Sequence, residues 1–77
     1  MNTDSISHNS LECPYQWESG YPEGVSIACG GTERPQKIAG KWYIYVWIST
    51  LQFHQYYCFN DDLFYSDKYF EENIRNL

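Results

Sequence analysis

Apolar and polar positions alternate most regularly from Lys41 onward, where the chain reads KWYIYVWI. On an extended backbone Trp42, Ile44, Val46 and Ile48 share one face, and Tyr43, Tyr45 and Trp47 share the other. Polar Ser49-Thr50 interrupts the pattern, which then resumes with Phe53, Tyr57 and Phe59 on one side and His54, Tyr56 and Cys58 on the other. β-Branched and aromatic residues at this density fit a pleated, half-buried surface, so residues 41–59 predict two antiparallel strands. The turn between them lacks the Asn-Gly or Asp-Gly pair that marks the tightest hairpins.

A shorter alternation, Val25-Ser26-Ile27-Ala28-Cys29, predicts a third strand with Val25, Ile27 and Cys29 on one face. Gly30-Gly31 ends it, because paired glycines permit a sharp reversal. The polar stretch that follows, with Pro35 inside it, predicts a loop from Gly30 to Gly40 tipped by Arg34 and Lys37. Asn60-Asp61-Asp62 is a turn, since short carbonyl side chains bond nearby backbone N–H groups. Leu63-Phe64-Tyr65 is then either a brief fourth strand or the start of a docking segment.

After Tyr65 the period changes. Ser66 suits an N-cap, Asp67 places a negative charge in the first turn, and Phe70, Ile74 and Leu77 form one apolar helical stripe. Glu71 and Arg75 make an i,i+4 pair worth about 0.2–0.5 kcal/mol. A helix of this length holds only when packed against something larger. The fold class is therefore α+β: a small antiparallel sheet of three to four strands with one C-terminal helix packed on it. Residues 1–12, small and polar, read as a flexible N-terminal arm, and residues 13–77 as a single domain. Within it CPYQWESGYPEG, from Cys13 to Gly24, is too rich in Pro and Gly for a regular element. Its Tyr15, Trp17 and Tyr21 cover an end of the core.

Size and charge change this picture in one respect. A chain of 77 residues buries about 60% of the surface exposed by its unfolded form, so an aromatic share of 19% is more than one short helix readily covers. The face carrying Tyr43, Tyr45 and Trp47 is left for a partner or for a second copy of the chain in a homodimer. The net charge is −5, with five carboxylates and no Lys or Arg in residues 1–33, and five acids against two bases in 61–77. That balance opposes attraction to nucleic acid and favours a basic protein. No apolar window is long enough for a membrane-spanning helix. The first residues lack a basic region followed by an apolar one, and three cysteines do not make a disulfide scaffold. Reduced thiols and a cytoplasmic location are expected.

Three constellations could carry chemistry. His54 and Cys58, with Cys13 and Cys29 elsewhere, are zinc-ligand types, and a metal would help a domain this small. On a strand, however, His54 and Cys58 lie about 13 Å apart at about 3.3 Å per residue, too far for one ion, and no Cys-x₂₋₄-Cys knuckle exists. The same spacing separates a Cys–His catalytic pair, so neither an enzyme nor a cofactor is expected. A nucleic-acid reading would stack bases on the aromatic face and use Arg34, Lys37 and Lys41 for phosphates, against the flanking acids. The reading favoured by composition is an acidic protein-binding module that occupies a larger basic partner stoichiometrically. Its anchors are Tyr43, Tyr45, Trp47 and Tyr56, with Asp61, Asp62, Glu71 and Glu72 as steering charges. In size and charge the chain resembles small inhibitors encoded by phages and other mobile elements, which suggests a partner that handles nucleic acid. No motif places it in a named family.

Overall fold

In the computed structural model, which describes residues 12–75, five antiparallel strands form one sheet followed by a short helix. The strands are β1 (Val25–Ile27), β2 (Gln36–Ile38), β3 (Lys41–Ile48), β4 (Phe53–Cys58) and β5 (Leu63–Tyr65). The long alternating stretch is the axis of the sheet. β3 pairs along one edge with β4, from Tyr43 opposite Cys58 to Ile48 opposite Phe53. Its other edge is shared in succession by β1, opposite Val46–Ile48, and β2, opposite Lys41–Tyr43. β5 completes the order beyond β4. The arm expected over residues 1–12 lies outside the described residues except for Glu12, and so does Leu77 of the expected helical stripe.

Two segments depart from the sequence reading. The stretch expected to be a loop from Gly30 to Gly40 contains β2, and Pro35 is fully buried. Pro35 precedes the strand, so its missing N–H removes no ladder bond. Between β2 and β3, Ala39 (φ 52°) and Gly40 (φ 84°) form a two-residue turn with the two positive φ values of type I′. An Ala in the first of these positions hides the hairpin from a search for Asn-Gly. The strand expected to run to Cys29 stops at Ile27. Cys29, Gly30 and Gly31 all adopt positive φ, so Cys29 leaves the strand and becomes exposed. Arg34 holds the loop that results by donating to the carbonyls of Gly31, Thr32 and Glu33.

The polar turns follow the expected chemistry. Residues 49–52 close the β3–β4 hairpin, with Gln52 N–H donating to Ile48 O at 2.8 Å. At the β4–β5 turn, the Asn60 side chain accepts from Trp42 N–H at 2.7 Å, and Asp62 N–H donates to Cys58 O at 2.8 Å. Ser66 caps the C-terminal helix, its Oγ accepting from Tyr69 N–H. The helix begins in α geometry over Asp67–Tyr69 and widens to π geometry over Phe70–Arg75.

Both faces of the sheet are covered. The helix lies on the face of Tyr43, Tyr56 and Cys58, where Phe70 and Ile74 are buried among them with Ile38 and Tyr65. The opposite face, with Ile44, Val46 and Ile48, is covered by the irregular segment before β1, through Trp17 and Tyr21. The direction of β5 decides this arrangement. Tyr65 is paired directly with Tyr56, so the chain leaves the sheet on the Tyr56 side, and Phe70 stacks on the Tyr56 ring at 3.7 Å between centroids. The aromatic side of β3 is therefore the side the helix takes, over part of its length.

Candidate functional site

Beyond the helix, the same face of the sheet stays open. Trp47 is paired with His54 and Tyr45 with Tyr56, so cross-strand pairing brings their rings to one surface. His54 stacks on Tyr45 at 4.9 Å and meets Trp47 edge-on at 4.9 Å. The first turn of the helix forms the opposite wall, where Asp67 accepts a hydrogen bond from the Tyr45 hydroxyl at 2.6 Å. Between these walls lies a shallow groove of about 530 Å³, with Phe53 and Lys68 at its margins. Ser66 capping fixes the position of Asp67, and the β3–β4 register fixes the rings, so local geometry shapes both walls.

The four aromatic anchors read from the sequence divide into two kinds. Tyr43 is only 3% exposed and packs edge-on against Phe70, so it is core rather than a contact surface. Tyr56 is partly buried beneath Phe70, with the Arg75 guanidinium 5.8 Å from its ring. Tyr45 and Trp47 remain partly exposed and line the groove. The sequence reading missed His54, Phe53, Asp67 and Lys68 as companions of that surface. The signal was present for His54, because a hairpin centred on residues 49–52 places it opposite Trp47.

The proposed steering charges are also engaged within the chain. Asp61 accepts from the Tyr65 hydroxyl at 2.9 Å and pairs with Lys41 at 3.1 Å. These two contacts hold its carboxyl below the usual carboxylate range. Asp62 accepts from the Tyr57 hydroxyl. Burial first, and that carboxylate second, push the Tyr57 phenol up to about 12. Tyr65 is likewise raised to about 12, chiefly by its bond to Asp61. Burial and then Asp67 raise Tyr45 too. Glu71 pairs with Arg75 at 2.8 Å, while Glu72 is exposed. All four carboxylates lie at or near the surface, and Asp61, Asp62 and Glu71 are held in defined positions.

Two of the three basic residues considered for phosphate contact are similarly committed. Arg34 clamps its own loop and lies 5.3 Å over the Trp17 ring, and Lys41 is paired with Asp61. Lys37 is exposed on β2. His54 and Cys58 share a face of a regular strand, but His54 belongs to the groove and Cys58 to the buried cluster under the helix. Among the described residues, no three His, Cys, Asp or Glu side chains are grouped to hold a metal ion. Burial is the first cause raising the Cys13 and Cys58 thiols, and the exposed Cys29 is raised by slight desolvation and then by the Glu33 carboxylate to which its Sγ donates, all of which disfavours the thiolate form. Among the described residues, no helix is long and apolar enough to cross a membrane. No protein-family model matches the chain, and no match is found among curated proteins or solved structures.

Proposed function

We propose that the chain is a non-enzymatic, acidic protein-binding module that works by stoichiometric occupation of a larger basic partner. The observation supporting this most directly is the groove beside the helix, where Tyr45, Trp47 and His54 present partly exposed rings next to the Asp67 carboxylate. Half-exposed Trp and Tyr are the side chains that most often dominate binding energy once desolvated. Tyr43 drops out of the anchor set because it is core, and Tyr56 contributes through its exposed edge. Asp61, Asp62, Glu71 and Glu72 supply the acidic surroundings, with a net charge of −5 behind them. A partner that handles nucleic acid, masked in the manner of a phage or mobile-element inhibitor, has the basic surface this charge would meet. A cytoplasmic setting with reduced thiols goes with this reading.

Affinity capture from native lysate, with and without nuclease, tests the proposal when wild type is compared with Trp47→Ala. A basic protein retained after nuclease treatment at one copy per chain, and lost from the variant, is the expected result. Anchor removal should cost over about 2 kcal/mol and act mainly on dissociation. Recovery of nucleic acid alone would overturn the proposal in favour of direct nucleic-acid binding. A chain that captures only itself, with a dimer mass in solution that Trp47→Ala abolishes, would replace it with homodimerisation through the same face.

A further inference from the structure

The groove has a chemical preference that its composition makes specific. The chain contains two arginines, and both guanidinium groups already lie over aromatic rings: Arg34 at 5.3 Å from the Trp17 ring and Arg75 at 4.9 Å from the Phe70 ring. Of the three tryptophans, Trp17 is covered in this way and Trp42 is buried. Trp47 is partly exposed, and the ring contact it makes is with His54. Beside it, Asp67 is anchored through one oxygen by the Tyr45 hydroxyl, so a carboxylate is held at the edge of the ring surface. A ring face attracts a cation through its quadrupole, and a carboxylate adds a directional acceptor. Arginine suits both at once, since its flat guanidinium can stack while donating in its own plane.

Resting on the docking surface proposed above, we infer that the Trp47–Tyr45–His54 groove receives an arginine side chain of the protein partner, stacked on Trp47 and paired with Asp67. The occupant must come from another molecule, because both arginines of this chain are engaged elsewhere. Lys68, on the same margin, opposes a cation and would assist an anion. That sign separates an arginine from a nucleic-acid phosphate.

The test is titration of the full chain, followed by amide and indole NMR shifts, with three short peptides differing only at a central arginine, lysine or citrulline. The arginine peptide should move the Trp47 indole and the Tyr45, His54 and Asp67 amides, and the citrulline peptide should not. Trp47→Ala should weaken binding about tenfold, and Asp67→Asn about threefold. Lys68→Ala should tighten it. Retained shifts with citrulline, shifts located elsewhere, or weakening by Lys68→Ala would overturn the inference. So would a short oligonucleotide that binds the groove where the arginine peptide does not. Failure of the wider reading gives a different result. If Trp47→Ala abolishes capture of the partner while the arginine peptide leaves the groove unmoved, the surface stands and the arginine does not. If capture is indifferent to Trp47→Ala, the surface itself is misplaced.

Discussion

The two faces of the sheet are covered by different means. Ile44, Val46 and Ile48 lie under an irregular segment, held by a few aromatic contacts: Tyr15 stacked on Phe59, Tyr21 edge-on to Tyr57, and the Tyr21 hydroxyl bonded to Trp17 O. The other face lies under a capped helix whose Phe70 and Ile74 enter the core. An irregular cover can follow the outline of the strands and extend over β4 and β5. A short helix, α over Asp67–Tyr69 and π over Phe70–Arg75, covers one end of its face and leaves the other open. The groove is therefore a consequence of using the shorter cover on the more aromatic side. An aromatic groove is left open without leaving the core unprotected.

Core truncations test the comparison most severely. Ile44 and Phe70 are both fully buried, one in each core. Ile44→Ala should cost about 2–5 kcal/mol and Phe70→Ala about 3–5 kcal/mol, enough to unfold a domain of this size. Denaturant midpoints would measure both. If the two faces form one cooperative unit, each variant should lose protection from hydrogen exchange on both faces. Loss confined to the helix in Phe70→Ala would show that the covers unfold separately.

Alkaline pH acts on both faces through their phenols. Tyr21 and Tyr57 on the irregularly covered face, and Tyr65 on the helical one, are all raised to about 12, the first two chiefly by burial and Tyr65 chiefly by Asp61. An unfolded tyrosine ionises near about 10. The unfolded chain thus releases these protons first, so the stabilisation is complete below about pH 10 and is lost as pH rises through about 12. Unfolding followed by tyrosinate absorbance should show one cooperative rise in that window. Tyr57→Phe and Tyr65→Phe should each make stability less dependent on pH there, and an unchanged slope in both would refute the assignment.

Smaller effects distinguish how each cover is attached. Ser66→Ala removes the helix cap and should cost about 1 kcal/mol. Tyr21→Phe removes the bond to Trp17 O and should cost about 0.5–1.5 kcal/mol. Chemical denaturation gives both values. Faster amide exchange should appear after Ser66 in the first variant and near Trp17 in the second. The opposite sign is expected at Ala39, which holds φ 52° without being glycine. Ala39→Asn tolerates that conformation better and should stabilise the β2–β3 hairpin, by up to about 1 kcal/mol, seen as a higher melting temperature.

Much of the architecture is legible because it rests on local chemistry. Alternation over 41–48 and 53–58 specifies two strands and sorts their residues onto faces, since successive side chains must point oppositely. Asn60-Asp61-Asp62 specifies a turn, and Ser66 with Phe70 and Ile74 specifies a capped, one-sided helix. β2 escapes notice because three residues, Gln36–Ile38, are too few to establish a period, and Ala39-Gly40 disguises its turn. The identity of each candidate anchor is visible in sequence, but its exposure is not. Tyr43 and Tyr45 differ by one pleat repeat on the same face, and only the place where the covering helix starts makes one of them core and the other groove.

The central hairpin, the polar turns and the helix start follow from neighbours along the chain, and the acidic net charge follows from composition. Tertiary structure alone decided which cover each face received and where Phe70 came to rest. That choice depends on the Tyr65–Tyr56 register, a contact between strands whose free energy belongs to the assembled sheet and to no single segment.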